Sequence, residues 1–151
     1  DCIVTDHAPH TLEAKSAGFP KAPAGMPGVE TSLPVMLTHA VGGKCSVTDV
    51  VNWMCEGPAK VYGIEKKGSI IEGYDADLTL VDLDTHRIIS DEDTWTKVGW
   101  TPYAGRELTG WPIYTIVDGE IVHRREVGGS LKGISVAEPG STGRVLKFNQ
   151  F

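Results

Sequence analysis

The first apolar run, Cys2-Ile3-Val4-Thr5, is short and β-branched and gives way at once to the polar cluster Asp6-His7-Ala8-Pro9-His10. An uninterrupted run of this length reads as a buried parallel strand whose polar residues emerge at its C-terminal end. Between Lys15 and Gly28 the pattern dissolves. Gly18, Gly25 and Gly28 are interspersed with Pro20, Pro23 and Pro27, a density that predicts a loop without regular structure. Helical spacing then appears in Leu33, Leu37, Ala40 and Val41, with Thr31 or Ser32 as cap, Pro34 tolerated in the first turn and Gly42-Gly43 as the stop. Ser46-Val47-Thr48-Asp49 has the form of a capping box, with Asp in the place of Glu, and opens a helix through Met54. Gly57-Pro58 starts a third, short helix that ends at Gly63.

Beyond Gly63 the period changes. Ala76 to Asp82 alternates apolar and polar residues, as a half-buried strand does, and His86 to Ser90 forms another short strand. Tyr114 to Glu126 reads as a hairpin about Asp118-Gly119, the strongest turn signal in the chain. Gly128 to Phe151 is glycine-rich and weakly patterned, a tail or a loosely docked extension. The chain therefore divides into residues 1–64, a strand with helices; 65–127, a β region; and 128–151, a tail. The class is α/β.

A length of 151 residues suffices for one ordinary domain with a usable core. The net charge of −6 argues against a nucleic-acid surface, which needs clustered Lys and Arg, but leaves room for a locally positive pocket that takes an anion. No apolar run is long enough to span a membrane, and no secretory signal opens the chain. Cys2, Cys45 and Cys55 form no CxxC pair and no even framework. We expect Cys45 and Cys55 as buried reduced thiols, which suits a cytoplasmic protein. The chain opens at Asp1, without an initiator methionine, directly on an apolar run that needs a pairing partner, so an incomplete polypeptide is expected.

By residue type, the candidate chemistry lies in Asp6 and its neighbours. A carboxylate at the C-terminal mouth of a parallel strand stands where barrel enzymes carry their active groups. One oxygen can ligate a metal while the other takes a proton from water. The same Asp-His pair also fits a turn carboxylate beside a solvated imidazole. His39, His86 and His123 have no partner at ligand spacing, and Trp53, Trp100 and Trp111 read as packing residues. Asp75 and Asp77 have the form of a carboxylate dyad but sit in the alternating β region.

The order of motifs carries more. Thr5-Asp6-His7-Ala8-Pro9-His10, Pro23-Ala24-Gly25, Gly28-Val29-Glu30-Thr31, Gly57-Pro58-Ala59-Lys60, Gly73 to Leu78, Thr101 to Gly105 and Gly110-Trp111-Pro112 follow one another at characteristic spacing. In this the chain resembles the C-terminal segment of class I dihydroorotases of the amidohydrolase superfamily, over roughly residues 1–126. The resemblance implies the end of a metal-dependent (β/α)8 barrel followed by part of a β-sandwich. It also implies zinc-dependent, reversible hydrolysis of dihydroorotate to carbamoyl aspartate in pyrimidine synthesis. It assigns Asp6 two roles, ligand to one zinc of a binuclear site and proton shuttle between the attacking hydroxide and the ring nitrogen. His10 and backbone groups of Ala24 and Gly25 would contact the substrate carboxylate; His7 would orient the loop or hydrogen-bond near Asp6, with no role in the reaction. Dihydropyrimidinases, hydantoinases and allantoinases act on rings without that carboxylate and generally lack a histidine at the position of His10.

The family's other metal ligands, a His-x-His pair, a carboxylated lysine and two further histidines, have no counterpart here, nor do its substrate-binding arginine and asparagine. The resemblance therefore implies that this chain alone is inactive, and that its first partner is the remainder of a dihydroorotase. It also admits a homodimer or an association with aspartate transcarbamoylase, including the reading of a non-catalytic partner of that enzyme. Asp6 and His10 speak against the last, since a scaffold needs neither.

Overall fold

The computed structural model describes residues 1–131, 133–136, 143 and 145–149. Helices α1 (Leu12–Ser16), α2 (Ser32–Val41), α3 (Val47–Val51) and α4 (Gly57–Val61) precede strands β1 (Leu78–Ile88), β2 (Glu107–Val117), β3 (Glu120–Arg124) and β4 (Ile134–Ser135). The strands form one antiparallel sheet in the order β1-β2-β3-β4.

The capping box at Ser46 is complete. Its hydroxyl accepts from the Asp49 N–H at 3.0 Å, and the Asp49 carboxylate accepts from the Ser46 N–H at 2.8 Å. The second and third predicted helices prove to be one continuous run, because a π-helical turn over Asn52–Glu56 joins α3 to α4. Pro58 explains the widened turn. Its ring would collide with the carbonyl four residues back and it has no N–H to donate, so the ladder passes to a wider spacing, with the Gly57 N–H reaching the Asn52 carbonyl. The two predicted short strands likewise merge into β1, whose register breaks between Asp82 and His86. Asp118 and Gly119 have φ of 52° and 85°, the left-handed pair that a two-residue hairpin turn of type I′ requires.

Helix α2 packs on β2. Gly110, at φ 85°, brings its backbone against buried Leu37; a Cβ there would lie 2.6 Å from the Leu37 Cβ. The Thr38 hydroxyl accepts from the Thr109 N–H at 2.8 Å and donates to the Pro34 carbonyl at 2.7 Å, stitching helix to strand. Ile89, Leu108 and Trp111 form the adjoining core, with Val35, Tyr103 and Leu131 against it.

Two expectations are corrected. Residues 2–5 are not a strand; Val4 is 64% exposed, and the nearby pairing is a single parallel bridge between His7 and Met26. An apolar run becomes a strand only beside a partner, and no partner strand lies there among the described residues. Cys45 is half-buried and Cys55 exposed, because helical periodicity places Val50 and Ala59 inward instead. Partial burial nonetheless pushes the Cys55 thiol pKa up. The C-terminal extension docks at more than one point: β4 joins the sheet beside β3, and a second contact lies at Ile64. The Glu65 N–H donates to the Lys147 carbonyl at 2.9 Å and the Asn149 N–H to the Gly63 carbonyl at 2.8 Å, about an Ile64–Phe148 bridge. No helix among the described residues is long and apolar enough to cross a membrane.

Candidate functional site

Asp6 is exposed and sits at φ 41°, one of three non-glycine residues with positive φ among the described residues. Asp adopts this left-handed conformation more readily than most residues, and such outliers concentrate where geometry serves function. From there the chain runs through Pro9 and His10 to Thr11, whose hydroxyl caps α1 by accepting from the Ala14 N–H at 3.2 Å.

The loop that the sequence left without regular structure folds back onto this segment. The Ala8 N–H donates to the Met26 carbonyl at 3.2 Å. His7 Nδ1 accepts from the N–H groups of both Gly28 and Val29 at 3.2 Å, which puts the ring proton on Nε2 and makes His7 the residue that orders the loop. Gly25, at φ 101°, lies so close that a Cβ would fall 2.6 Å from the Ala8 carbonyl oxygen. Lys15, at the end of α1, donates to the Pro23 carbonyl at 2.8 Å and so pins the residue before Ala24. Segments 6–10 and 24–28 are thus adjacent, held by main-chain and imidazole hydrogen bonds. This brings the loop of Ala24 and Gly25 onto the segment that carries Asp6 and His10.

A second loop, between β1 and β2, buttresses the cluster. The Trp95 N–H donates to the Glu30 carboxylate at 2.7 Å, and the Trp100 indole N–H donates to the His10 carbonyl at 2.8 Å. His7, Pro27, Glu30, Thr31, Trp100 and Thr101 line the small cleft where loop and motif meet. Neither Glu30, Lys15 nor Trp100 carried a functional reading in the sequence. Their partners lie 65, 8 and 90 positions away, and no local spacing announces them.

The other candidates are structural. His86 Nδ1 shares a 2.8 Å hydrogen bond with the Thr109 hydroxyl across β1 and β2. Burial, with help from the Arg125 charge, lowers the His123 pKa. Asp75 and Asp77 are no dyad. Both face the Lys67 ammonium, 3.1 Å from Asp75, and the hydrogen bond with Asp77 is the main reason the Lys67 pKa is raised.

The donor set decides what metal the chain can hold alone. Among the described residues, no group of three or more His, Cys, Asp or Glu is placed to hold a metal ion. Catalytic zinc takes about three protein ligands, and the described residues bring no such set together. The isolated chain is therefore expected to retain less than about 0.1 zinc per molecule after equilibrium dialysis against micromolar zinc. Near-stoichiometric retention at the wild-type level, lost on Asp6→Asn, would show a site that this donor set does not provide.

Comparison with known proteins follows the same outline. The amidohydrolase family model matches residues 2–122. The chain is 41% identical over 145 residues to a dihydroorotase of Pyrococcus furiosus, covering 95% of this chain and 34% of that protein. It is 44% identical over 123 residues to a dihydroorotase of Methanothermobacter thermautotrophicus, covering 81% and 28%. The chain thus spans about a third of the length of the curated relatives it matches. Among solved structures, an L-hydantoinase (dihydropyrimidinase) from Arthrobacter aurescens superposes with a TM-score of 0.81 at 36% identity, over 91% of this chain and 30% of that one. A dihydropyrimidinase from Brevibacillus agri does so with a TM-score of 0.75 at 30% identity, over 89% and 32%.

Proposed function

The chain belongs to the amidohydrolase family, and from that premise we propose that it is the C-terminal portion of a dihydroorotase. In this reading residues 1–64 close a (β/α)8 barrel, residues 65–127 belong to a β-sandwich, and residues 128–151 form an extension. Zinc is held in the complete enzyme with Asp6 as one ligand, the other ligands lying outside this chain. The observation that carries the reading is the packing of two motifs against each other, Asp6 to His10 against the loop of Ala24 and Gly25.

The chemistry follows from the residues. Opening the cyclic amide forms a carbon–oxygen bond from water to the carbonyl and breaks the ring carbon–nitrogen bond. The proton that water loses must reach the departing nitrogen. Asp6 is the carrier: its carboxylate accepts that proton and releases it to nitrogen, and the reverse transfer serves ring closure of carbamoyl aspartate. The substrate's own carboxylate is held by the His10 imidazole and by N–H groups of Ala24 and Gly25, since hydrogen bonds to a charged acceptor are the stronger kind.

A second reading, a hydantoinase or dihydropyrimidinase, draws on the likeness to the Arthrobacter aurescens structure. His10 discriminates between them, because an uncharged ring offers the imidazole no carboxylate. In the complete enzyme, His10→Ala is expected to raise KM for dihydroorotate roughly twenty-fold, the worth of one charge-assisted hydrogen bond. Its effect on dihydrouracil should be small. A wild-type enzyme that prefers dihydrouracil to dihydroorotate would overturn the first reading in favour of the second.

A further inference from the structure

We propose that Trp100 is a positioning residue for recognition of the substrate carboxylate, an inference that rests on the role of His10 given above. The loop that carries Trp100 is itself well fixed. Ser90 and Asp93 form a reciprocal cap, with the Ser90 N–H 2.8 Å from the Asp93 carboxylate. The Thr101 N–H donates to Asp91 Oδ1 at 2.8 Å, closing the loop on itself directly after Trp100. Thr101 is only 5% exposed, so its end of this closure is buried.

The loop then reaches the site at two points. Trp95 binds the Glu30 carboxylate, at the edge of the segment that His7 orders, and the Trp100 indole N–H binds the His10 carbonyl. His10 is therefore held from both sides. Pro9 locks the torsion before it, and beyond it the Trp100 bond and the Thr11 cap restrain the peptide that follows. What remains free is the imidazole's own side-chain rotation. A histidine whose Cα is fixed loses less entropy on gripping a carboxylate, and an error of about 1 Å in such a group is costly. The indole does this work from the β region, 90 positions along the chain. Its N–H is committed to the His10 carbonyl, so Trp100 acts through His10.

The test uses the full-length enzyme and three variants: Trp100→Phe, His10→Ala and the double variant. Phenylalanine keeps most of the aromatic bulk and deletes the donor. Trp100→Phe is expected to raise KM for dihydroorotate roughly three- to tenfold with kcat within about twofold, and to add nothing in the His10→Ala background. An equal effect in both backgrounds, or a fall in kcat with KM unchanged, marks a merely structural tryptophan and overturns the proposal. If His10→Ala raises KM while Trp100→Phe does not, the inference fails and the dihydroorotase reading stands. If His10→Ala itself leaves KM unchanged, the role of His10 fails and the inference falls with it. Hydrogen exchange of the Trp100 indole N–H in the wild-type enzyme supplies a readout independent of the variants' folding. Slowing of tenfold or more relative to free indole is expected, and exchange at the free rate overturns the bond.

Discussion

Asp6→Asn in the complete enzyme is expected to lower kcat at least about a thousandfold while leaving the fold intact. The substitution isolates the proton. Asparagine matches aspartate in shape and, like it, tolerates left-handed backbone, so φ of 41° is kept without added strain. Because Asp6 is exposed, no packing is lost, and the stability change should stay within about 0.5 kcal/mol. What the carboxamide cannot do is accept a proton from water, and removing a positioned acid–base group typically costs 10²–10⁴ in rate. Loss of a ligand position for zinc adds to that. Initial rates at saturating dihydroorotate, with thermal unfolding followed by circular dichroism, check both halves. A variant that keeps a tenth or more of wild-type kcat, properly folded, would remove Asp6 from the mechanism.

Gly25→Ala is expected to reduce kcat/KM at least about a hundredfold, through geometry alone. Alanine at φ 101° is strained wherever it occurs, at a cost of about 1–3 kcal/mol. Here its Cβ would also lie 2.6 Å from the Ala8 carbonyl oxygen and 2.7 Å from the Ala8 Cβ. Neither atom can rotate away, so the loop or the Asp6–His10 segment must shift, at about 1–3 kcal/mol more. In the function proposed above these two segments together make the carboxylate grip, so a displacement of even about 1 Å is worth about two orders of magnitude in rate. Gly18→Ala is the natural control. Gly18 also has positive φ, at 67°, but its Cβ would meet nothing within 4 Å, so only the backbone cost applies and kcat/KM should stay near wild type. Wild-type kcat/KM in Gly25→Ala would mean that the Ala24–Gly25 loop does not take part in the site.

Much of the local structure was legible because it is governed by near neighbours. The period of Leu33, Leu37, Ala40 and Val41 located α2. The reciprocal Ser46–Asp49 bonds follow from three-residue spacing, and Asp118-Gly119 is a turn by residue type. The apolar stretch at residues 2–5 takes no strand structure here for the opposite reason. Strand formation is a pairing, and hydropathy states only that a segment could pair. The π turn at Asn52–Glu56 escaped because Pro58 was read as a helix start, whereas the helix widens ahead of it and continues.

The site divides in the same way. Asp6, His10 and the loop at Ala24–Gly25 were singled out from motif order, since each motif is contiguous and its residue types suit proton transfer and carboxylate binding; the structure adds that the two segments pack together. For His7 the sequence left two readings, orienting the loop or bonding near Asp6, and the two N–H groups it accepts from favour the first. Trp100, Glu30 and Lys15 were not legible, because nothing in an indole or a carboxylate says which distant carbonyl or N–H it will meet. The amino-acid order by itself determined the elements held by short-range caps and turns, and the family to which the motifs belong. Only the tertiary structure decided which backbone the loops lie on and who restrains His10. Those contacts join residues up to 90 positions apart, and their partners are set by packing rather than by local propensity.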